Sequence, residues 1–220
     1  MPKKLITIEY FTDMLCVWAW VAQPRINELK QQWGNDLSIH YRYMDVFGDV
    51  NHHMKARWAT RGGLSAFSEH VRLTVKKFPE LSANKELWQK NSPRTSANSH
   101  LILKALQAIH GSAAAEEMAY KIRRAFFIDN LDISQLNTLF ALVEKAGFDT
   151  LEIKNAIEDG SALADLMQDY QRARELNLKG SPSYVMNEER QILYGNVGYR
   201  VLHANVEELM RSPQNEASWC

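Results

Sequence analysis

Cysteine is scarce in this 220-residue chain: Cys16 and Cys220 are its only two, one near each end. So sparse a supply excludes the dense disulfide framework of a small secreted domain. The opening MPKKLITIEYF is basic and then apolar, but Thr7 and Glu9 interrupt it and no small-residue cleavage site follows. It therefore reads as a strand and not as an export signal, and a reducing cytoplasmic location is expected. Long hydrophobic runs are missing too, since no stretch approaches the ~18 apolar residues of a membrane span. Charge of one sign is not in excess, with 26 Lys+Arg against 26 Asp+Glu, so neither nucleic acid nor a membrane is expected as a partner. No repeat or low-complexity tract occurs. Of the seven histidines, His52 and His53 are adjacent and far in sequence from either cysteine, which fits no common metal-ligand spacing. No metal is expected. What is present is an ordinary globular composition, 45% hydrophobic and 24% charged. The length suits one large domain, or a domain carrying a sizeable insertion.

The chain is organised around Tyr10–Trp20, YFTDMLCVWAW. An extended apolar segment, Leu5 to Phe11, ends at the polar pair Thr12-Asp13, and Cys16 follows at the mouth of a helix. The first turn of a helix has unpaired N–H groups and a partial positive charge, so a thiol there is expected to ionise more easily. A small buried apolar role is the other reading of Cys16. Asp13 either tunes that thiol or caps the helix. Trp18 and Trp20 either line a groove or simply pack.

Strand alternation places Ile6, Ile8 and Tyr10 on one face, and later Leu37, Ile39, Tyr41 and Tyr43. Between them Ala22, Ile26, Leu29 and Trp33 form a helical stripe that ends at Gly34. Strand, helix and strand with short joins predict a parallel βαβ unit. From 48 to 178 the pattern is helical, after a polar stretch Gly48 to Gly63 that either borders the site or forms a plain loop. Helices are predicted over Ser65 to Phe78, Asn84 to Lys90, Ala97 to His110 and Ala113 to Ile128. Two more open at capping boxes beginning with Asp132 and Asp149. A last one, capped by Ser161, runs Ala162 to Leu178 with Leu163, Leu166, Tyr170, Ala173 and Leu176 inward. Ser183 to Met186 and Gln191 to Tyr194 form a hairpin, followed by a helix Tyr199 to Met210 and a polar tail from Ser212 to Cys220. The architecture is thus α/β: an N-terminal βαβ (1–47), an all-helical insertion (48–178) and a C-terminal ββα (179–220).

Gly180-Ser181-Pro182 lies directly before a strand. Cis geometry is nearly confined to X-Pro bonds, so the residue type permits a cis bond here, although a trans turn is the ordinary outcome. With FTDMLCVWAWV, Pro24 inside the first helix, the segments RWATRGG, SEHV and SPRTSANSHLILKAL, and GSPSYVM, the chain resembles the DsbA-like branch of the thioredoxin superfamily. Its cytoplasmic FrnE-like members stand nearest in this resemblance. The 2-hydroxychromene-2-carboxylate isomerases and kappa-class glutathione transferases are more distant. The resemblance runs from Leu5 to Met210 and implies a thioredoxin fold with a helical insertion. It implies Cys16 as nucleophile, Ser181 and Pro182 as a backbone platform for substrate, and Trp18 and Ala19 in the groove floor. It departs from the family pattern at Ala19, where the second cysteine would stand in Cys16-Val17-Trp18-Ala19. Without that sulfur, Cys16 can attack a disulfide but cannot resolve the product alone.

Three functions remain open. One is a monothiol thiol–disulfide oxidoreductase, with glutathione as co-substrate and thiol or disulfide molecules as partners. Another is a glutathione-dependent transferase or isomerase. The third is a binding protein without turnover. No covalently held cofactor is implied, and a homodimer is compatible with the sequence.

Overall fold

The computed structural model describes residues 5–212; the polar tail and Cys220 lie outside them. Four strands form one mixed sheet in the order β2-β1-β3-β4. β1 (Ile6–Thr12) and β2 (Leu37–Tyr43) are parallel, with Ile6 opposite Leu37 and Thr12 opposite Tyr43. β3 (Ser183–Met186) runs antiparallel to β1, placing Tyr184 against Tyr10, and β4 (Gln191–Tyr194) completes the hairpin. This is the α/β architecture expected, and alternation is its cause: Ile6, Ile8 and Tyr10 are buried on one face. They pack with Ile26 and Leu29 of α1 (Val17–Trp33) and with Leu202, Val206 and Leu209 of α8 (Tyr199–Arg211).

Six helices lie between β2 and β3: α2 (Val50–Arg57), α3 (Gly63–Val75), α4 (Ala97–Phe127), α5 (Leu136–Lys145), α6 (Thr150–Glu158) and α7 (Ser161–Glu175). Their apolar core is continuous with Met14, Leu15, Cys16, Val17, Ala19 and Trp20. The start of α1 is therefore plugged into the helical layer, which places Cys16 at a junction between layers. α7 covers the second face of the sheet, where Ala173 meets Phe11, Met44 and Val185. Asp169 of α7, wholly buried, fixes this contact. It accepts from Arg42 Nη1 at 2.9 Å and from the Tyr43 amide at 3.1 Å, with Lys104 Nζ 3.2 Å away. A buried carboxylate holding two cations and an amide has its charge answered in place.

Several local expectations are corrected. The predicted helix Asn84 to Lys90 is a series of turns. Trp88 there takes φ 66° and is fully enclosed against Phe47, Phe67 and Phe126, so aromatic packing overrides local propensity. The polar stretch from Gly48 contains α2, whose N-cap Asp49 accepts the His52 amide. α4 is interrupted at Gly111 (φ 84°, ψ 173°), the predicted stop, yet a second helical run follows without a loop. The Asp132 side chain holds Ser134 in a turn, and α5 begins only after Gln135. Asp149 does cap α6, through the Leu151 amide. Ser161 is not a cap: Gly160 precedes α7 in the left-handed region (φ 82°). The α7 stripe also shifts by one residue at its start, with Ala162 buried and Leu163 exposed.

Candidate active site

The turn that ends β1 is built by Asp13. Its Oδ1 accepts the Leu15 amide at 2.9 Å, and its carbonyl accepts the Cys16 amide at 3.2 Å. This folds the chain back so that Cys16 becomes the N-cap of α1 in extended geometry (φ −76°, ψ 118°). The opposite wall comes from the far end of the sequence. The Cys16 thiol donates to the Ser181 carbonyl at 3.1 Å, and the Asp13 amide donates to Ser181 Oγ at 2.9 Å. The Ser181–Pro182 peptide bond is cis. A pair of short contacts thus joins two segments separated by more than 160 positions.

Cys16 is only 5% exposed, and its electrostatics differ from the expectation drawn from its position. Burial pushes the thiol above its ordinary value, and the nearby Asp13 charge adds to this. The Ser181 hydroxyl and the backbone N–H groups of Ala19 and Trp18 pull the other way. The helix-start amides do face the sulfur, but desolvation outweighs them. The resting group is a thiol, consistent with its donation to Ser181.

A cleft of about 1030 Å³ opens beside the sulfur. Of the residues singled out from the sequence, Cys16, Trp18 and Ser181 line it. Ala19 and Pro182 do not: both are buried, and Ala19 contributes only its amide, toward the sulfur. Ala19 is therefore not part of the groove floor. The stretch from Gly48 borders the cleft, contributing His52, His53, Arg57, Trp58 and Arg61. Trp58 stands edge-on to Phe67 at 5.0 Å, and the Arg61 guanidinium lies 5.8 Å from the Trp58 ring centre. Lys179 adds a further cation to the lining. The rim therefore offers aromatic faces and charges of both signs, since Asp45 and Asp49 also line it beside Arg57, Arg61 and Lys179. Among the described residues no cluster of three or more His, Cys, Asp or Glu could hold a metal.

Beneath the cleft lies a polar layer that sequence reasoning did not find. The second oxygen of Asp13 accepts from the Phe47 amide at 2.9 Å and from Ser96 Oγ at 2.8 Å. Asp13 therefore ties the β1 turn to a cleft wall and to the start of α4; of its two expected roles it does not cap α1, and its charge does act on the Cys16 thiol. Burial raises its carboxyl to about 6, against the pull of Phe47, Leu15, Ser96 and Arg123. Arg123, wholly buried, donates to Gln23 Oε1 at 3.0 Å and Thr12 Oγ1 at 2.5 Å. His100, also enclosed, accepts the Met14 amide at Nε2 (3.2 Å), and its Nδ1 lies 2.9 Å from the Tyr170 hydroxyl. Only the closeness of Asp13 to Cys16 was visible in the sequence; nothing there links His100, Arg123 or Tyr170 to it.

Known proteins are similar to nearly the whole length of this chain. The ClpXP adapter protein SpxH of Halalkalibacterium halodurans is 22% identical over 214 residues, covering 94% of this chain and 69% of its own. The cytosolic disulfide reductase DsbM of Pseudomonas aeruginosa, solved with GSH, superposes with a TM-score of 0.68 at 20% identity, covering 93% of this chain and 99% of its own. A 2-hydroxychromene-2-carboxylate isomerase gives 0.66 at 15% identity, over 94% and 97%. At such identities the two structures establish a shared fold and no more. No helix of the described residues is long and apolar enough to cross a membrane. The profile of the DSBA-like thioredoxin domain matches residues 7–207, nearly the full length of the described structure, and the chain belongs to that family.

Proposed function

We propose that the protein is a DsbA-like thiol–disulfide oxidoreductase with Cys16 as its single working sulfur and an external thiol, glutathione, in the resolving role. One observation carries this reading. Cys16 lines a cleft with aromatic walls and charged residues, Arg57, Arg61 and Lys179 among them, while Ala19 fills the position from which a second sulfur would act. In the first step the Cys16 thiol gives its proton to water and the resulting thiolate attacks the glutathionyl sulfur of a mixed disulfide. A Cys16–glutathione disulfide forms, and the other sulfur leaves with the bonding pair and takes up a proton from water. In the second step a glutathione thiolate attacks that same glutathionyl sulfur. Cys16 leaves as its thiolate and glutathione disulfide is released. The sum consumes one mixed disulfide and one glutathione and yields one free thiol and one glutathione disulfide. The likeness to a disulfide reductase solved with GSH supports the choice of thiol. A cytoplasmic setting, where glutathione is abundant and reduced, accords with it.

The test uses a Cys220→Ser background. Oxidised glutathione should add one glutathionyl group, read by intact mass, and a further Cys16→Ser exchange should abolish it. No adduct on Cys16 would sink the proposal.

The raised Cys16 thiol favours one second reading. A site that keeps its own sulfur protonated could instead hold the thiolate of glutathione for conjugation or isomerisation, as the isomerase neighbour invites. Glutathione-dependent turnover that survives Cys16→Ser would select this reading. Partner capture without turnover, a reading to which the name "adapter protein" of the SpxH relative adds, would be selected by the absence of both adduct and glutathione binding in calorimetry.

A further inference from the structure

Tyr170 stands in the cleft wall with Cys16 and is held by a chain of bonds with a definite direction. The Met14 amide donates to His100 Nε2, so that nitrogen presents its lone pair. Burial, and then the Arg123 charge, lowers His100 to about 3, so the ring is neutral and carries its hydrogen on Nδ1. Nδ1–H therefore donates to the Tyr170 oxygen 2.9 Å away. A phenol that accepts from His100 must point its own hydrogen elsewhere. Among the described residues no second partner takes it, and Tyr170 itself lines the cleft. Burial also pushes the Tyr170 hydroxyl upward, so it stays a donor throughout the physiological range.

We propose that Tyr170 donates a hydrogen bond to the sulfur that departs when Cys16 attacks a disulfide, and that His100 acts as its positioning residue. This rests on the exchange reading above. Of the groups in that step, the departing sulfur gains the most negative charge, and attack is in line, so it lies on the cleft side of the attacked sulfur. The Ser181 hydroxyl and the amides of Trp18 and Ala19 already serve Cys16. The rim cations Arg57 and Arg61 are exposed, whereas Tyr170 is only 6% exposed, and an enclosed, pre-aimed donor is worth more to a developing anion than a solvated one. Tyr170 supplies a hydrogen bond and not a proton; the departing thiolate takes its proton from water.

The experiment uses mixed disulfides of glutathione with leaving thiols running from a nitrothiophenol to mercaptoethanol. The single-turnover rate of Cys16 glutathionylation is measured for the protein and for Tyr170→Phe, both with Cys220→Ser. A hydrogen bond to an ionic group is worth about 1.5–3 kcal/mol, or roughly tenfold or more in rate. Tyr170→Phe should therefore lose about tenfold with mercaptoethanol as leaving group and under about twofold with the nitrothiophenol, whose thiolate needs little help. This variant leaves His100 Nδ1–H without its acceptor and lowers stability, but the change in slope across the series is an internal ratio that partial unfolding does not move. His100→Gln should steepen the slope in the same direction. An equal loss with every leaving thiol, or no loss, overturns the role of Tyr170 while leaving the exchange reading intact. A Cys16 unreactive toward the whole series in the unsubstituted protein overturns both.

Discussion

Replacing Asp13 by Asn should remove a distinct component of the pH dependence of stability. The Asp13 carboxyl is fully enclosed and raised from 3.8 to about 6. It binds its proton more tightly in the folded protein than in the unfolded chain. Its contribution is therefore greatest below about pH 4, where both states are protonated, and falls as pH rises through about 6. A displacement of roughly two pKa units corresponds to about 3 kcal/mol lost between those limits. Asn cannot ionise, so its stability carries no such slope. Asn does keep one carbonyl oxygen for the Leu15 or the Phe47 amide, but it points an NH2 group at the other. That misplaced donor costs about 1–3 kcal/mol at every pH.

The two effects separate by measurement. His100 titrates over the same range with opposite sign, because burial lowers it to about 3 and acid must then charge a buried ring. Its contribution is lost as pH falls below its ordinary 6.5. The stability of either protein alone mixes both slopes, but their difference removes His100. Urea unfolding at pH 4.5 and 7.5 should show Asp13→Asn clearly less stable than the parent at the lower pH, with the gap narrowing by about 2 kcal/mol at the higher. Parallel profiles, with a gap that does not change, would refute the reasoning. They would mean that Ser96, the two amides and Arg123 compensate the buried charge in full.

Other exchanges test other layers. Ala19→Cys places a second sulfur three positions beyond Cys16, and oxidised glutathione should then give an internal disulfide in place of a persistent glutathione adduct, as intact mass would show. Leu166→Ala, at a site 1% exposed, should cost about 2–5 kcal/mol in chemical denaturation, while Leu163→Ala, 48% exposed, should stay within about 0.5. Arg123→Met removes the donor to Thr12 and Gln23 and the cation that restrains Asp13. It should destabilise by about 1–3 kcal/mol, the cost of leaving those buried acceptors without their donor, and displace the Asp13 titration to still higher pH.

The parts of this fold legible in the sequence are those where burial follows a short period. β1 and β2 alternate because one face meets α1 and α8. α1 could be placed because its apolar stripe and Gly34 mark one face and one end. The hairpin and last helix were readable for the same reason. α2 was hidden because Val50 is its only buried residue, so there is no stripe to detect; the cap at Asp49 was the available signal. In the site, Cys16, Trp18 and Ser181 were found, whereas the expected ease of ionisation of Cys16 was not sustained. Position on a helix is local, but desolvation depends on what packs over it, and here that is a helical layer contributed from elsewhere in the chain. The same argument covers His100 and Asp13, whose partners stand 86 and 168 positions away. No window along the sequence contains such pairs.

That desolvation has a kinetic consequence for a site with one sulfur. In exchange chemistry a basic thiolate attacks well once formed, yet it is a poor leaving group. Under the proposed exchange Cys16 plays both parts, since Ala19 offers no second sulfur beside it and the Cys16–glutathione disulfide is discharged by expulsion of Cys16 by a second glutathione. Burial and the Asp13 charge, which raise the thiol, oppose that expulsion, and the Ser181 hydroxyl with the Trp18 and Ala19 amides assists it. Because burial is the largest of these, discharge should be the slow step and the adduct should accumulate during turnover. Quenched-flow mass measurement with excess glutathione should find most Cys16 glutathionylated in the steady state. Asp13→Asn, which removes the neighbouring charge, should shorten the lifetime of the adduct. A steady state dominated by free Cys16 would show that the amides and hydroxyl outweigh burial once substrate occupies the cleft.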